Sequence, residues 1–149
     1  MDEALFQEGI AYAERNLLGA KGHSYLDRRL IEEKFDLAGK EVLDFGCGMG
    51  FNSIWLANHM GARVDAVDLD ENHIEIAREL MRRHGRKPVQ FSTRNIITHP
   101  INKKYDCIML NDVIEHIVPD CIAAILDALI TRNLKEGGVI FFSYPPWEG

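Results

Sequence analysis

Three short stretches carry residue types that could do chemistry. Glu41-Val42-Leu43-Asp44-Phe45 is an apolar run that breaks at once into Gly46-Cys47-Gly48-Met49-Gly50. Three glycines at alternate positions let a backbone turn sharply and approach a ligand without side-chain obstruction, which is how nucleotide-like cofactors are held. The dinucleotide pattern G-x-G-x-x-G would need glycine at position 51, where Phe51 stands, so an NAD-type oxidoreductase is only a second alternative. The second stretch, Arg63 to Asp70, ends a strand in Asp68, 24 residues after Asp44. That separation suits one strand-helix-strand step, and a carboxylate there can accept two hydrogen bonds from a ribose diol. The third, Lys104 to Ile117, closes with Asn111-Asp112-Val113 followed by Glu115 and His116.

The segment D-x-G-C-G-x-G resembles motif I of the class I S-adenosylmethionine-dependent methyltransferases, and Lys104–Ile117 looks like that family's fourth-strand motif. The resemblance covers about residues 38–144. It implies S-adenosylmethionine as cofactor, with S-adenosylhomocysteine as product, held at Asp44, Phe45, Gly46, Cys47, Gly48 and Gly50. It puts the sugar on Asp68, the adenine against Leu69, and the adenine amino group near Asn95 and Ile96. Asn95 is an amide at a position the family fills with an acidic or amide side chain. Asn111, Asp112 and Val113 are then expected to line the methionine end and face the acceptor. His116 becomes the candidate general base, since a neutral imidazole titrates near working pH. The implied activity is in-line methyl transfer to an oxygen or nitrogen of a small molecule. No N-P-P-Y type signature follows the fourth strand, so a protein or nucleic-acid acceptor is unsupported. A non-catalytic cofactor-binding module or a fragment is the first alternative.

Plainer readings compete at several positions. Asp112, Glu115 and His116 have the spacing of one helix face, but one imidazole is a poor metal set and Asp112 is placed to cap a helix, so no metal is expected. Asp70 reads as a helix cap, and Asp65 has no assigned role. Cys47, Cys107 and Cys121 are an odd number without metal-type pairing, which points to reduced thiols and a cytoplasmic setting. A net charge of −6 argues against a nucleic-acid partner, and the basic run Arg82–Lys87 reads as a solvated helix end with Gly85 as C-cap. No stretch of about 18 apolar residues occurs, so no membrane partner is expected.

The elements that must position these residues alternate along the chain. Helical periodicity is expected over 3–17 and from Ser24 towards Gly39. Strand 41–45 follows, then a helix from Asn52 or Ser53 to Met60, a strand 63–68, a helix 71–84, strands 87–92 and 106–110, a helix 119–133 and a fifth strand 139–142. This alternation predicts an α/β, doubly wound, Rossmann-like fold. The sheet is mainly parallel, of order 3-2-1-4-5, with helices on both faces and ligand loops after the first, second and fourth strands. Residues 1–37 form N-terminal helices that cap or flank the substrate side, and residues 38–149 form the cofactor-binding core. The resembling fold continues into a further helix and an antiparallel hairpin, so its last two strands are expected to be lacking. The fifth strand would then be an open edge that invites a homodimer, unless the N-terminal helices or Pro145 and Pro146 cover it.

Overall fold

The structure, a computed structural model, describes residues 1–143. The first two elements are helices α1 (Glu3–Leu18) and α2 (His23–Lys34). Asp2 caps α1 by accepting from the backbone N–H of Ala4 at 2.7 Å, the use of a short side-chain oxygen that helix starts demand. The sequence places the cap of α2 at Ser24, but the N-cap is Gly22, whose φ of 88° opens a tighter turn than a serine tolerates.

From there strands and helices alternate: β1 (Glu41–Phe45), α3 (Phe51–Met60), β2 (Arg63–Asp68), α4 (Glu71–His84), β3 (Val89–Thr93), β4 (Tyr105–Asn111), a 3₁₀ turn (Ile114–His116), α5 (Pro119–Asn133) and β5 (Leu134–Ser143). All pairings are parallel, as the alternation requires, and the strand order is the expected β3-β2-β1-β4-β5. β5 begins five residues earlier than its apolar run suggests. Leu134 pairs with Tyr105 and Val139 with Cys107, so five steps on β5 answer two on β4 and Lys135–Gly138 bulges out. Gly137, at φ 77°, supplies the backbone for that bulge.

Alternating strand residues build two cores. Val42, Val64, Ala66, Cys107 and Met109 face α3 and α4, and Ile10, Ala13 and Ile31 join α1 and α2 to the same layer. Leu43, Val67, Ile108 and Leu110 face Leu129 and the half-buried Ile125 and Leu126 of α5. Gly50 shows how tightly the first layer closes: a Cβ there would stand 2.7 Å from both Ala77 and Phe91.

The basic run at the end of α4 is solvated, as expected, with Arg82, Arg83, Arg86 and Lys87 exposed, and two of its members also reach α1. Arg83 and His84 bind Glu14 of α1 at 3.3 and 2.6 Å, so these charges join two helices. Gly85 ends α4 as expected, donating to Met81 O at 2.7 Å, though in extended backbone and not the left-handed form. Asp65 also gains a role: it accepts from the buried Tyr105 hydroxyl at 2.7 Å and pairs with Lys103 at 3.0 Å, tying β2 to β4 at the end of the sheet opposite the loops. No helix among the described residues is long and apolar enough to cross a membrane. Among those residues the sheet ends at β5. The expected shielding by Pro145 and Pro146 lies outside the described residues.

Candidate functional site

At the carboxyl ends of the strands lies a cleft of about 700 Å³, within the usual range for small-molecule sites. Phe45, Gly46 and Gly48 enter it after β1, Asp68, Leu69 and Asp70 after β2, Asn95 and Ile96 after β3, and Asp112, Val113 and His116 after β4. Loops more than 60 residues apart thus converge at the point where strand order reverses.

The glycine loop is fixed by its neighbours. Gly46 and Cys47 both donate their N–H groups to Val67 O at 2.9 Å. Gly46, Gly48 and Gly50 have φ of 73°, 55° and 80°, the left-handed region that side chains disfavour. A Cβ on Gly46 would strike Val113 at 2.6 Å, whereas one on Gly48 would meet nothing within 4 Å and so would project into open space. Gly48 is therefore where the bare main chain faces the open cleft.

Asp68 stands opposite. One carboxylate oxygen accepts from the N–H of Gly48 at 2.8 Å and the other from the N–H of Asp70 at 2.9 Å, which fixes the group and leaves lone pairs free for hydroxyls. Asp70 caps α4, as the sequence indicates, through the N–H of Asn72 at 2.9 Å. Leu69 is 72% exposed and presents an apolar side chain to the cleft.

Four expected cofactor residues do not line the cleft: Asp44, Cys47, Gly50 and Asn111. Asp44 is buried beneath the loop and accepts from the Ser53 hydroxyl at 2.5 Å. Burial above all, with the Asp68 charge adding to it and the Ser53 bond opposing, pushes the Asp44 carboxyl up to about 6. Its place is under the loop, bracing it. Cys47 is largely enclosed, and burial pushes its thiol well above the ordinary range, which leaves it unreactive. Gly50 serves helix packing. Asn111 accepts from the Ser143 hydroxyl at 3.2 Å, and its amide nitrogen is buried without a hydrogen-bond partner among the described residues.

Three further side chains are used differently from the sequence reading. Asn95 Oδ1 accepts from the N–H of Ile97 at 3.0 Å, so part of its capacity goes to its own turn. His116 is on the cleft but its side chain is 78% exposed, with the Glu115 carboxylate at 3.6 Å as its ion-pair contact. Asp112 does not cap a helix. Its backbone is left-handed at φ 54°, and its Oδ1 lies 2.7 Å from His23 Nε2 on α2. Asp27, one helical turn further on, lies 3.3 Å from the same nitrogen. Burial, with the facing Asp112 charge adding to it, raises the Asp27 carboxyl above its ordinary value against the pull of Ser143 and His23. Sequence reasoning missed His23 and Asp27, because neither belongs to a local pattern. Arg94 from the β3 loop and Cys121 and Ile125 from α5 also line the cleft unforeseen.

The family described as "Methyltransferase domain" matches residues 42–138. A ubiquinone biosynthesis O-methyltransferase of Thiobacillus denitrificans is 34% identical over 119 residues, covering 77% of this chain and 48% of that relative. The enzyme of the same name from Azotobacter vinelandii is 37% identical over 114 residues, with coverage of 76% and 47%. The chain therefore spans about half the length of the curated relatives it matches. Among solved structures, the PH0226 protein of Pyrococcus horikoshii superposes with a TM-score of 0.67 at 26% identity, covering 84% of this chain and 61% of that one. Magnesium protoporphyrin IX methyltransferase of Synechocystis, solved with bound SAM, shares the fold with a TM-score of 0.61 at 24% identity, covering 89% of this chain and 61% of that one.

Proposed function

The chain belongs to the class I S-adenosylmethionine-dependent methyltransferases, and from that membership we propose that it transfers a methyl group from S-adenosylmethionine to an oxygen or nitrogen of a small molecule by in-line displacement. The observation that carries this reading is Asp68, locked by the N–H groups of Gly48 and Asp70 across the cleft from the open face of Gly48.

The residues present fit the cofactor. The Gly48 main chain gives the clearance, Asp68 the hydroxyl acceptor, Leu69 and Ile96 the apolar walls for a base, and Asn95 a partner for its amino group. Asp112 and Val113 then flank the reacting end, and residues 1–37 cap it through the contact of His23 with Asp112. When bound, the cofactor supplies a methyl group on a positively charged sulfur that is already a good leaving group. The work of the protein is alignment: holding acceptor, methyl carbon and sulfur in line is worth effective molarities of about 10⁵ M or more, against roughly 10²- to 10⁴-fold for a general base. His116, on an exposed turn, takes the acceptor's proton and passes it to solvent.

The names of the relatives favour an oxygen acceptor over nitrogen. The test is calorimetric titration of the protein with S-adenosylmethionine and S-adenosylhomocysteine, followed by methyl transfer to a panel of phenols and amines. Micromolar-class binding with turnover of a phenol is expected. Tight binding without turnover of any acceptor would instead make the chain a cofactor-binding module, and absence of binding would defeat the reading outright.

A further inference from the structure

We propose that His23, Asp27 and Asp112 form a divalent-cation site in the wall of the cleft at the end of β4. The three side chains come from α2 and from the loop after β4, and one ligand atom from each lies within 4.8 Å of the other two. His23 Nε2 stands 2.7 Å from Asp112 Oδ1 and 3.3 Å from Asp27 Oδ2. Two donors at right angles on a cation with bonds of about 2.1 Å are about 3.0 Å apart, and these two spacings straddle that value.

Charge gives an independent reason. Asp27 is only 9% exposed, and its Oδ2 is shut off from water with no hydrogen bond among the described residues. A buried carboxylate oxygen is costly unless something answers its charge. The imidazole cannot serve both carboxylates, because Nε2 carries at most one hydrogen and stands closer to Asp112. A cation on Nε2, Asp27 Oδ2 and Asp112 Oδ1 satisfies all three at once and pins α2 to the cleft. One imidazole and two carboxylates suit Mn²⁺ or Zn²⁺, not a soft ion, and leave coordination positions for water or an oxygen of a cleft ligand. The site goes beyond the cofactor reading and does not depend on it, since neither His23 nor Asp27 lines the part of the cleft assigned to adenosine.

The experiment titrates Mn²⁺ into the ligand-free protein, followed by electron paramagnetic resonance and calorimetry, on wild type, His23→Ala and Asp27→Asn, each also titrated with S-adenosylmethionine. One Mn²⁺ per chain is expected, with an imidazole-nitrogen coupling in the wild-type spectrum. Each substitution should weaken Mn²⁺ at least tenfold, and Asp27→Asn, which removes no contact assigned to the cofactor, should leave cofactor affinity within about threefold. No stoichiometric Mn²⁺ or Zn²⁺ binding to wild type, a bound Mn²⁺ without nitrogen coupling, or equal affinity in all three proteins would overturn the proposal. The wild-type spectrum decides the matter even if a variant fails to fold. Loss of cofactor binding with Mn²⁺ retained would sink the methyltransferase reading alone.

Discussion

Replacing Asp68 with alanine should cost the protein its cofactor while leaving its fold intact. A carboxylate offers about four lone-pair sites, and backbone N–H groups of Gly48 and Asp70 take one on each oxygen, at 2.8 and 2.9 Å. The remaining pair matches a vicinal diol. Hydrogen bonds to a charged group are worth about 1.5–3 kcal/mol each. The Asp68 side chain is 15% exposed, so water recovers part of the loss. Taking the low end for two bonds gives about 3 kcal/mol, or roughly a 10²-fold weakening. Asp68→Asn keeps one acceptor oxygen and should lose roughly tenfold. Calorimetry with S-adenosylmethionine measures both, with circular dichroism as the fold control. The ribose contact can be separated from general loosening of the glycine loop by titrating a 2′-deoxy cofactor. Removal of that hydroxyl should weaken binding to wild type but hardly matter to Asp68→Ala. Affinity of Asp68→Ala within threefold of wild type, or an equal deoxy penalty in both proteins, would refute the reasoning.

Three further outcomes concern the glycine loop and the residues that support it. The Asp44 carboxyl sits at about 6 in the folded chain against 3.8 for the free group, so the fold disfavours its charged form. Its contribution is therefore fully present below about pH 4 and is lost as pH rises through about 6, a fall of about 3 kcal/mol. Asp44→Asn should remove that slope: the stability difference between variant and wild type in urea melts must shift in favour of the variant between pH 4 and 7, and a constant difference would contradict the burial argument. Gly50→Ala forces a left-handed residue and brings a Cβ to 2.7 Å from Ala77 and Phe91. It should cost about 2–4 kcal/mol and lower Tm by roughly 5–15 °C. Gly48→Ala, with open space around its Cβ, should lose only about 1 kcal/mol of stability in the same scan.

The sequence by itself determined the α/β alternation, the parallel pairing and the three loops that meet at the cleft, because each of these signals is local. A glycine at every second position after an apolar run, an acidic strand end 24 residues on and a second apolar strand closing in Asn111-Asp112-Val113 all declare themselves within a few residues. Hydrophobic periodicity then leaves few ways to stack them. Which of those residues line the cleft was decided only by tertiary packing. Asp44 shares the motif of Gly48 yet points under the loop to Ser53, because alternate residues of a strand take opposite faces. Asp112 turned away from the helix it was placed to cap, towards His23, a partner 89 residues distant. No sequence pattern encodes that pairing. It exists because Ile10, Ala13 and Ile31 bury the N-terminal helices against α3 and α4, and that burial sets the first turn of α2 beside the end of β4.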